Sequence, residues 1–215
     1  MSRKSSQADE RLIEAGLALL DEKGFEGLKI RQVTDKAGVN LGMFHYHFKT
    51  KDEFTRRVLK HMYEKFFQNF SLETVGDGEP LDRLRRALMA LGQFIRENRT
   101  LLLGMLQDAM HDNEVVVDFV TDNFPRHVVV VATLVKQCQD KNLLDKKPFH
   151  LVIPHFMGAL ATPSIVVGIL EKVKTKMFFG IAFSIFKNQI LSDEALTLRI
   201  DMMLRGLGAP ERNQA

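Results

Sequence analysis

From Leu28 to Asp52 the apolar and polar positions alternate in a way that predicts two short helices around a tight turn, opening into a third. Phe44 and Phe48 stand one helical turn apart on an inward face, with Met43 beside them. The opposite face offers Leu41, Gly42, His45, Tyr46 and His47. Gly38 supplies the φ > 0 freedom of a helix-ending turn, with Val39 tucked behind it. Asn40 suits the N-cap of the following helix. Together these features predict a helix-turn-helix. Upstream, Leu12, Gly16 and Leu19 form one stripe and Ile13 and Leu20 an adjacent one, in a helix that stops at Lys23-Gly24. Downstream, Thr50 and Glu53 have the spacing of a capping box, and Asp52 and Glu53 suit the positive end of the helix they open.

That fourth helix is expected over 51–70, basic in its first half (Arg56, Arg57, Lys60) and aromatic in its second (Tyr63, Phe66, Phe67, Phe70). The glycines and proline of SLETVGDGEP then break the pattern. From Leu81 onward everything reads as helix. Leu84, Leu88, Leu91 and Ile95 recur at helical spacing, and Pro125 predicts a kink or restart within a long apolar helix. The run Val128 to Val131 suits a strand in isolation, but its flanks argue for a buried helix. The segment from Pro148 to Leu170 is apolar nearly all round, MFFGIAFSIF is apolar again, and Ser192-Asp193-Glu194 caps a last helix ending near Gly206 and Gly208. This is more apolar surface than a monomeric bundle hides, which predicts homodimerisation through the last helices. The fold class expected is all-α.

Composition sharpens this picture at a few points. A chain of 215 residues, 45% hydrophobic and 27% charged, is long enough for a sizeable core. The net charge of +3 is concentrated: Leu28 to Lys60 holds 8 Lys plus Arg against 3 Asp plus Glu. Such an excess on a helix-turn-helix is where phosphate neutralisation needs it. The single cysteine, Cys138, fits a reducing compartment, and its place in an apolar helix reads as packing rather than as a redox sensor. No secretory h-region precedes the polar start, residues 1–8 read as a polar arm in which Arg3 and Lys4 permit DNA contact, and a cytoplasmic location is expected. The charge-free run Phe149 to Leu170 is long enough for a bilayer, but its histidines and prolines favour a helix buried between subunits. His150 and His155 are five apart, off one helix face, and no metal, cofactor or nucleophile motif stands out. Neither an enzyme nor a bound cofactor is expected.

The pairs and triplets Gly24-Phe25, Gly27, Ile30-Arg31, Ala37-Gly38-Val39, Tyr46-His47-Phe48 and Lys51 occur in the order and spacing of the TetR family of one-component repressors, which residues 10–60 resemble. The resemblance implies an amino-terminal three-helix DNA-binding domain (1–50) and a carboxy-terminal helical effector-binding and dimerisation domain (51–215), with the helix over 51–70 connecting the two. It places Arg31, Leu41, Gly42, His45, Tyr46, His47 and Lys51 at double-stranded DNA, the recognition helix in the major groove and the flanking helix ends on phosphates; Lys29 and Asn40 are further DNA-binding candidates. Three departures from the pattern matter: Lys29 replaces the usual Ser or Thr cap, His45 replaces a frequent tyrosine, and Leu41 can meet only an apolar feature such as a thymine methyl. The resemblance also implies a pocket for a small hydrophobic effector, for which Phe66, Phe94, Met105, Phe119, Phe124 and Phe156, with Met157, are the candidates. The function expected is a homodimeric repressor on a palindromic operator, released by its effector. Two other classes compete: a helical scaffold whose helix-turn-helix is only structural, and a small-molecule-binding or enzymatic α-bundle.

Overall fold

A computed structural model describes residues 3–209 apart from Glu26, Val75 and Asp77, and of residues 3–6 and Lys23 only the backbone. Among the described residues there are ten helices and one hairpin: α1 (Arg3–Lys23), α2 (Ile30–Ala37), α3 (Leu41–His47), α4 (Lys51–Thr74), α5 (Pro80–Glu97), α6 (Arg99–Met110), α7 (Glu114–Asp140), α8 (Phe149–Lys172), β1 (Met177–Phe178), β2 (Ile181–Ala182), α9 (Phe183–Ile190) and α10 (Asp193–Gly206). The all-α expectation holds. The chain forms two compact units, one of residues 1–66 and 100–124, the other of 67–99 and 125–215. Both α4 and α7 contribute residues to each unit.

In the first unit, α1 begins at Arg3, so the polar stretch expected over 1–8 is helical from that residue on; the side chains of Arg3 and Lys4 lie outside the described residues. The core is an aromatic knot. Phe44, Phe48 and Phe54 are fully buried, with ring centroids 5.5, 5.1 and 4.9 Å apart in their three pairings. Gly16 lets α1 reach this knot, because a Cβ there would stand 2.6 Å from the Phe54 ring and 2.9 Å from Val58. Tyr63 donates from its hydroxyl to the Asn123 carbonyl at 2.7 Å and packs edge-on against Phe119.

In the second unit, Leu84 and Leu88 of α5, Leu134 of α7, Phe156 and Val167 of α8 and Leu204 of α10 are buried together. Gly92 on α5 permits close approach, since a Cβ there would meet Leu196 of α10 at 2.6 Å and Leu160 of α8 at 3.3 Å. Arg85 donates to Asp201, joining α5 to α10, with both side chains largely shielded from solvent. Glu171 at the end of α8 accepts from Arg99 at 2.8 and 3.0 Å and from Lys187, and these cations hold its carboxyl below the usual range.

Three expectations need correction. First, of the kink or restart expected at Pro125 the restart does not occur: α7 runs on through the valine run, because the missing amide removes only one rung. Second, the segment after α8 is not all helix. Met177–Phe178 and Ile181–Ala182 pair antiparallel around Phe179-Gly180, whose φ values of +49° and +74° are both left-handed, as a two-residue hairpin turn demands. The α4 helix also extends to Thr74, a turn beyond the 51–70 expected.

The helix α8, without charge from Phe149 to Leu170, is long and apolar enough to cross a membrane by length and hydropathy alone. Its Val152, Ile153, Phe156, Leu160, Ser164, Val167 and Gly168 face is buried in the second unit. Leu151, His155, Gly158, Thr162 and Ile169 follow one another at three- and four-residue or doubled spacing down the opposite, exposed side. Leu198 and Met202 make a similar exposed pair on α10, at 56% and 63% exposure.

Candidate nucleic-acid interface

The turn between α2 and α3 is set by backbone chemistry first. Gly38 sits at φ 60°, ψ 41°, where a side chain is strained, and its amide and that of Val39 return to carbonyls in the last turn of α2. Arg11 of α1 then donates to the carbonyls of Ala37 and Gly38, placing a guanidinium at the negative end of α2. Asn40 caps α3, its side chain accepting from the Met43 amide at 2.9 Å. After α3, Thr50 accepts from the Glu53 amide at 3.0 Å, and Glu53 in return accepts from the Lys49 amide at 3.2 Å. The capping box is therefore made, with its return bond reaching the residue before the cap.

These anchors bury Phe44 and Phe48 and leave the other side of α3 in solvent. Tyr46 is 74% exposed and Leu41 44%; Gly42 and His45 are exposed, and His47 is half-buried with its ring 5.2 Å from that of Tyr46. No acidic side chain occurs on α3. A Cβ on Gly42 would meet only the Asn40 Oδ1, at 3.3 Å. Glycine costs an exposed helix about 1 kcal/mol relative to alanine, and nothing inside the protein requires it here.

Cations flank this face. Lys29 is the N-cap of α2 and makes no side-chain capping bond, so its ammonium is not committed to the helix it precedes. Arg31 is exposed in the first turn of α2. Lys51 opens α4 and donates to the Phe25 carbonyl at 3.3 Å, which fixes its stem beside the end of α1. An ammonium has three donors, so this bond leaves the group able to meet a phosphate. Lys49, exposed between α3 and α4, belongs with this set and was not among the residues the sequence pointed to. Its signal was its place between two other candidates, His47 and Lys51.

Residues 12–58 match the profile of the bacterial regulatory proteins of the tetR family. They are a TetR-family domain. Within it lie Gly38, Asn40, Thr50 and the exposed side chains of α3 just described, while Arg11 stands one residue before its start.

Among similar proteins, the HTH-type transcriptional repressor KstR2 of Mycobacterium tuberculosis (strain ATCC 25618 / H37Rv) is 28% identical over 101 residues, 46% of this chain and 50% of that protein. YuxN of Bacillus subtilis (strain 168), an HTH-type transcriptional regulator, is 20% identical over 96% of this chain and 66% of its own length. The match thus spans about half the length of the KstR2 repressor. A TetR transcription regulator from Haloarcula marismortui superposes with a TM-score of 0.70 at 18% identity, covering 94% of this chain and 98% of that one. The fatty acid degradation regulator FadR of Bacillus halodurans gives the same TM-score at 12% identity, with 94% and 97% covered. Both structures share the TetR-like fold beyond the TetR-family domain.

The second unit contains a small void, about 10 Å³, bounded by Leu88 and Leu91 of α5, His127 and Val131 of α7, and Phe156 and Met157 of α8. His127 is 6% exposed, and burial pushes its imidazole down to about 4. Of the six side chains expected at an effector pocket, Phe156 borders this void. Phe94 lies in the same unit; Phe66, Met105, Phe119 and Phe124 lie in the first, where Phe66 and Phe119 both pack on Tyr63 and Phe124 is 42% exposed. Cys138 is fully buried, and burial pushes its thiol up to about 11, so it stays protonated and packs. Among the described residues no three His, Cys, Asp or Glu side chains cluster as a metal site.

Proposed function

We propose that this chain is a ligand-responsive transcriptional repressor that binds a palindromic operator as a homodimer and is released by a small hydrophobic effector. The observation that carries the reading is the outer face of α3: Leu41, Gly42, His45 and Tyr46 stand exposed over a buried aromatic knot, inside a TetR-family domain and between exposed cations. An α-helix of this kind fits the major groove, where Tyr46, His45 and His47 offer hydrogen bonds and Leu41 an apolar contact to a thymine methyl. Lys29, Arg31, Asn40 and Lys51, with Lys49, hold phosphates and set the register.

Residues 1–50 then read DNA, and residues 51–215 dimerise and hold the effector. The uncharged exposed stripe of α8, with Leu198 and Met202 of α10, supports a second copy as the partner, because a helix face without charge gains by leaving water. A dimer presents two recognition helices about 34–36 Å apart, one turn of DNA. Effector binding in the second unit would act through α4, which carries residues of both units, and so weaken DNA binding. A coupling of about 1–3 kcal/mol suffices for release. The pocket candidates are Phe66, Phe94, Met105, Phe119, Phe124 and Phe156. The site of action is the cytoplasm.

Fluorescence-anisotropy titration tests the reading, with DNA from upstream of the protein's own gene against scrambled DNA at two salt concentrations. Tight, sequence-preferring binding that weakens as salt rises is expected. Equal, weak binding to both, with no preferred site anywhere in the genome, would contradict it.

A further inference from the structure

We infer that the hairpin between α8 and α9 is a docking surface for an anionic lipid bilayer, its apolar tip entering the interface and its lysines meeting the headgroups. This docking is separate from DNA reading and uses none of the residues placed at DNA.

The hairpin holds apolar side chains away from the core. Its base is firm: the Phe183 amide donates to the Lys176 carbonyl at 2.9 Å, and the Phe178 ring lies 4.8 Å from that of Phe186 on α9. Its tip is bare. Phe179 sits at φ +49°, in a turn position that Asn, Asp or Gly ordinarily fills. Its ring leans on Phe178 at 4.4 Å yet is 84% exposed. Val173, Met177, Ile181 and Ile185 are exposed around it. No residue of α9 is buried, so the helix that carries the hairpin lies on the surface as well.

Charge selects what covers this tip. From Lys172 to Leu191 there are four lysines and no Asp or Glu. Lys174 and Lys176, just before β1, are exposed, whereas Lys187 is paired with Glu171. Glu171, the nearest carboxylate along the chain, is met by Arg99 too. Two hairpins facing each other across a dyad would bring these lysines together with no carboxylate between them, a repulsive arrangement. Nucleic acid offers phosphate but no hydrocarbon for Phe179 and Ile181. An anionic bilayer offers both. The tip enters the acyl boundary while Lys174 and Lys176, on long apolar stems, reach lipid phosphates, and the two attractions add.

The chain has no tryptophan, so Phe179→Trp places a lone reporter at the tip. With vesicles of phosphatidylcholine carrying roughly one-third phosphatidylglycerol, its emission should move to the blue and lose access to acrylamide. Phosphatidylcholine alone should leave both unchanged. Wild-type protein should float with the same anionic vesicles, and Lys174→Glu/Lys176→Glu and Phe179→Ser should each partition at least about tenfold more weakly. Both variants should still bind DNA in the anisotropy assay, which shows them folded. Wild-type protein that does not float with anionic vesicles would overturn the inference, and so would an equal response to neutral ones. A tryptophan already shielded from acrylamide without vesicles would assign the hairpin to a second copy, and one shielded by scrambled DNA would assign it to nucleic acid; either result overturns bilayer docking. None of these outcomes bears on operator binding, which the anisotropy titration reads separately.

Discussion

Arg11 on α1 donates to the carbonyl of Gly38 at 3.0 Å, twenty-seven residues along the chain, and to that of Ala37 beside it. One side chain thus ties the first helix to the turn that aims the recognition helix, and it meets the negative end of α2 as it does so. Replacing Arg11 with alanine removes a charged donor from two carbonyls at a partly exposed site. The expected cost is about 1–2 kcal/mol, read as a lower urea midpoint. Arg11→Lys keeps the charge without the planar fork and should fall between the two.

Gly42 separates DNA contact from folding. Because a Cβ there meets only the Asn40 cap oxygen, Gly42→Ala should leave the thermal midpoint unchanged within a few degrees. If the helix backbone approaches DNA closely at that point, the same change should weaken operator binding at least tenfold. Circular dichroism and anisotropy on one preparation give both readings.

Lys51 is expected to act on phosphate and not on sequence. Lys51→Ala should weaken binding to operator and scrambled DNA alike and lower the slope of log K against log salt by about one. Unchanged affinity in a His45→Ala/Lys51→Ala double variant would favour a scaffold whose helix-turn-helix is only structural.

His127 gives the protein an acid-sensitive step. Burial alone holds its imidazole at about 4 against an ordinary 6.5, so the fold keeps the neutral form while the unfolded chain takes up a proton below 6.5. Stability from this group is therefore fully present above pH 6.5, falls as pH drops from 6.5 to 4, and levels off below that. The drop amounts to about 3 kcal/mol. Subtracting the urea-midpoint profile of His127→Leu from that of the wild type should isolate it, because carboxylates such as Glu171 contribute to both profiles and cancel.

How much of this was legible in the sequence depended on whether the signal was local. The helix-turn-helix was, because Gly38, Asn40 and Thr50 act on backbone groups within a few residues and the structure places all three at their caps. The inward Phe44 and Phe48 followed from helical spacing. Arg11 was not legible, since its partners lie far along the chain and an exposed arginine on a helix resembles any other. The hairpin at Phe179-Gly180 was hidden by its length: strands of two residues show no alternation, and a phenylalanine at positive φ carries no turn signature. The void in the second unit escaped for a different reason. Its lining comes from α5, α7 and α8, and only packing in three dimensions selects His127, Val131 and Met157 from a region apolar nearly everywhere.

The central claim is that the outer face of α3 reads DNA as one half of a pair. Hydroxyl-radical footprinting on genomic fragments retained by the protein tests it most directly. The account predicts two protected patches related by a dyad and centred about 10–10.5 base pairs apart, or a multiple of that, which vanish with Tyr46→Ala while the protein stays folded. A single unpaired patch, or a footprint that Tyr46→Ala leaves intact, would contradict it.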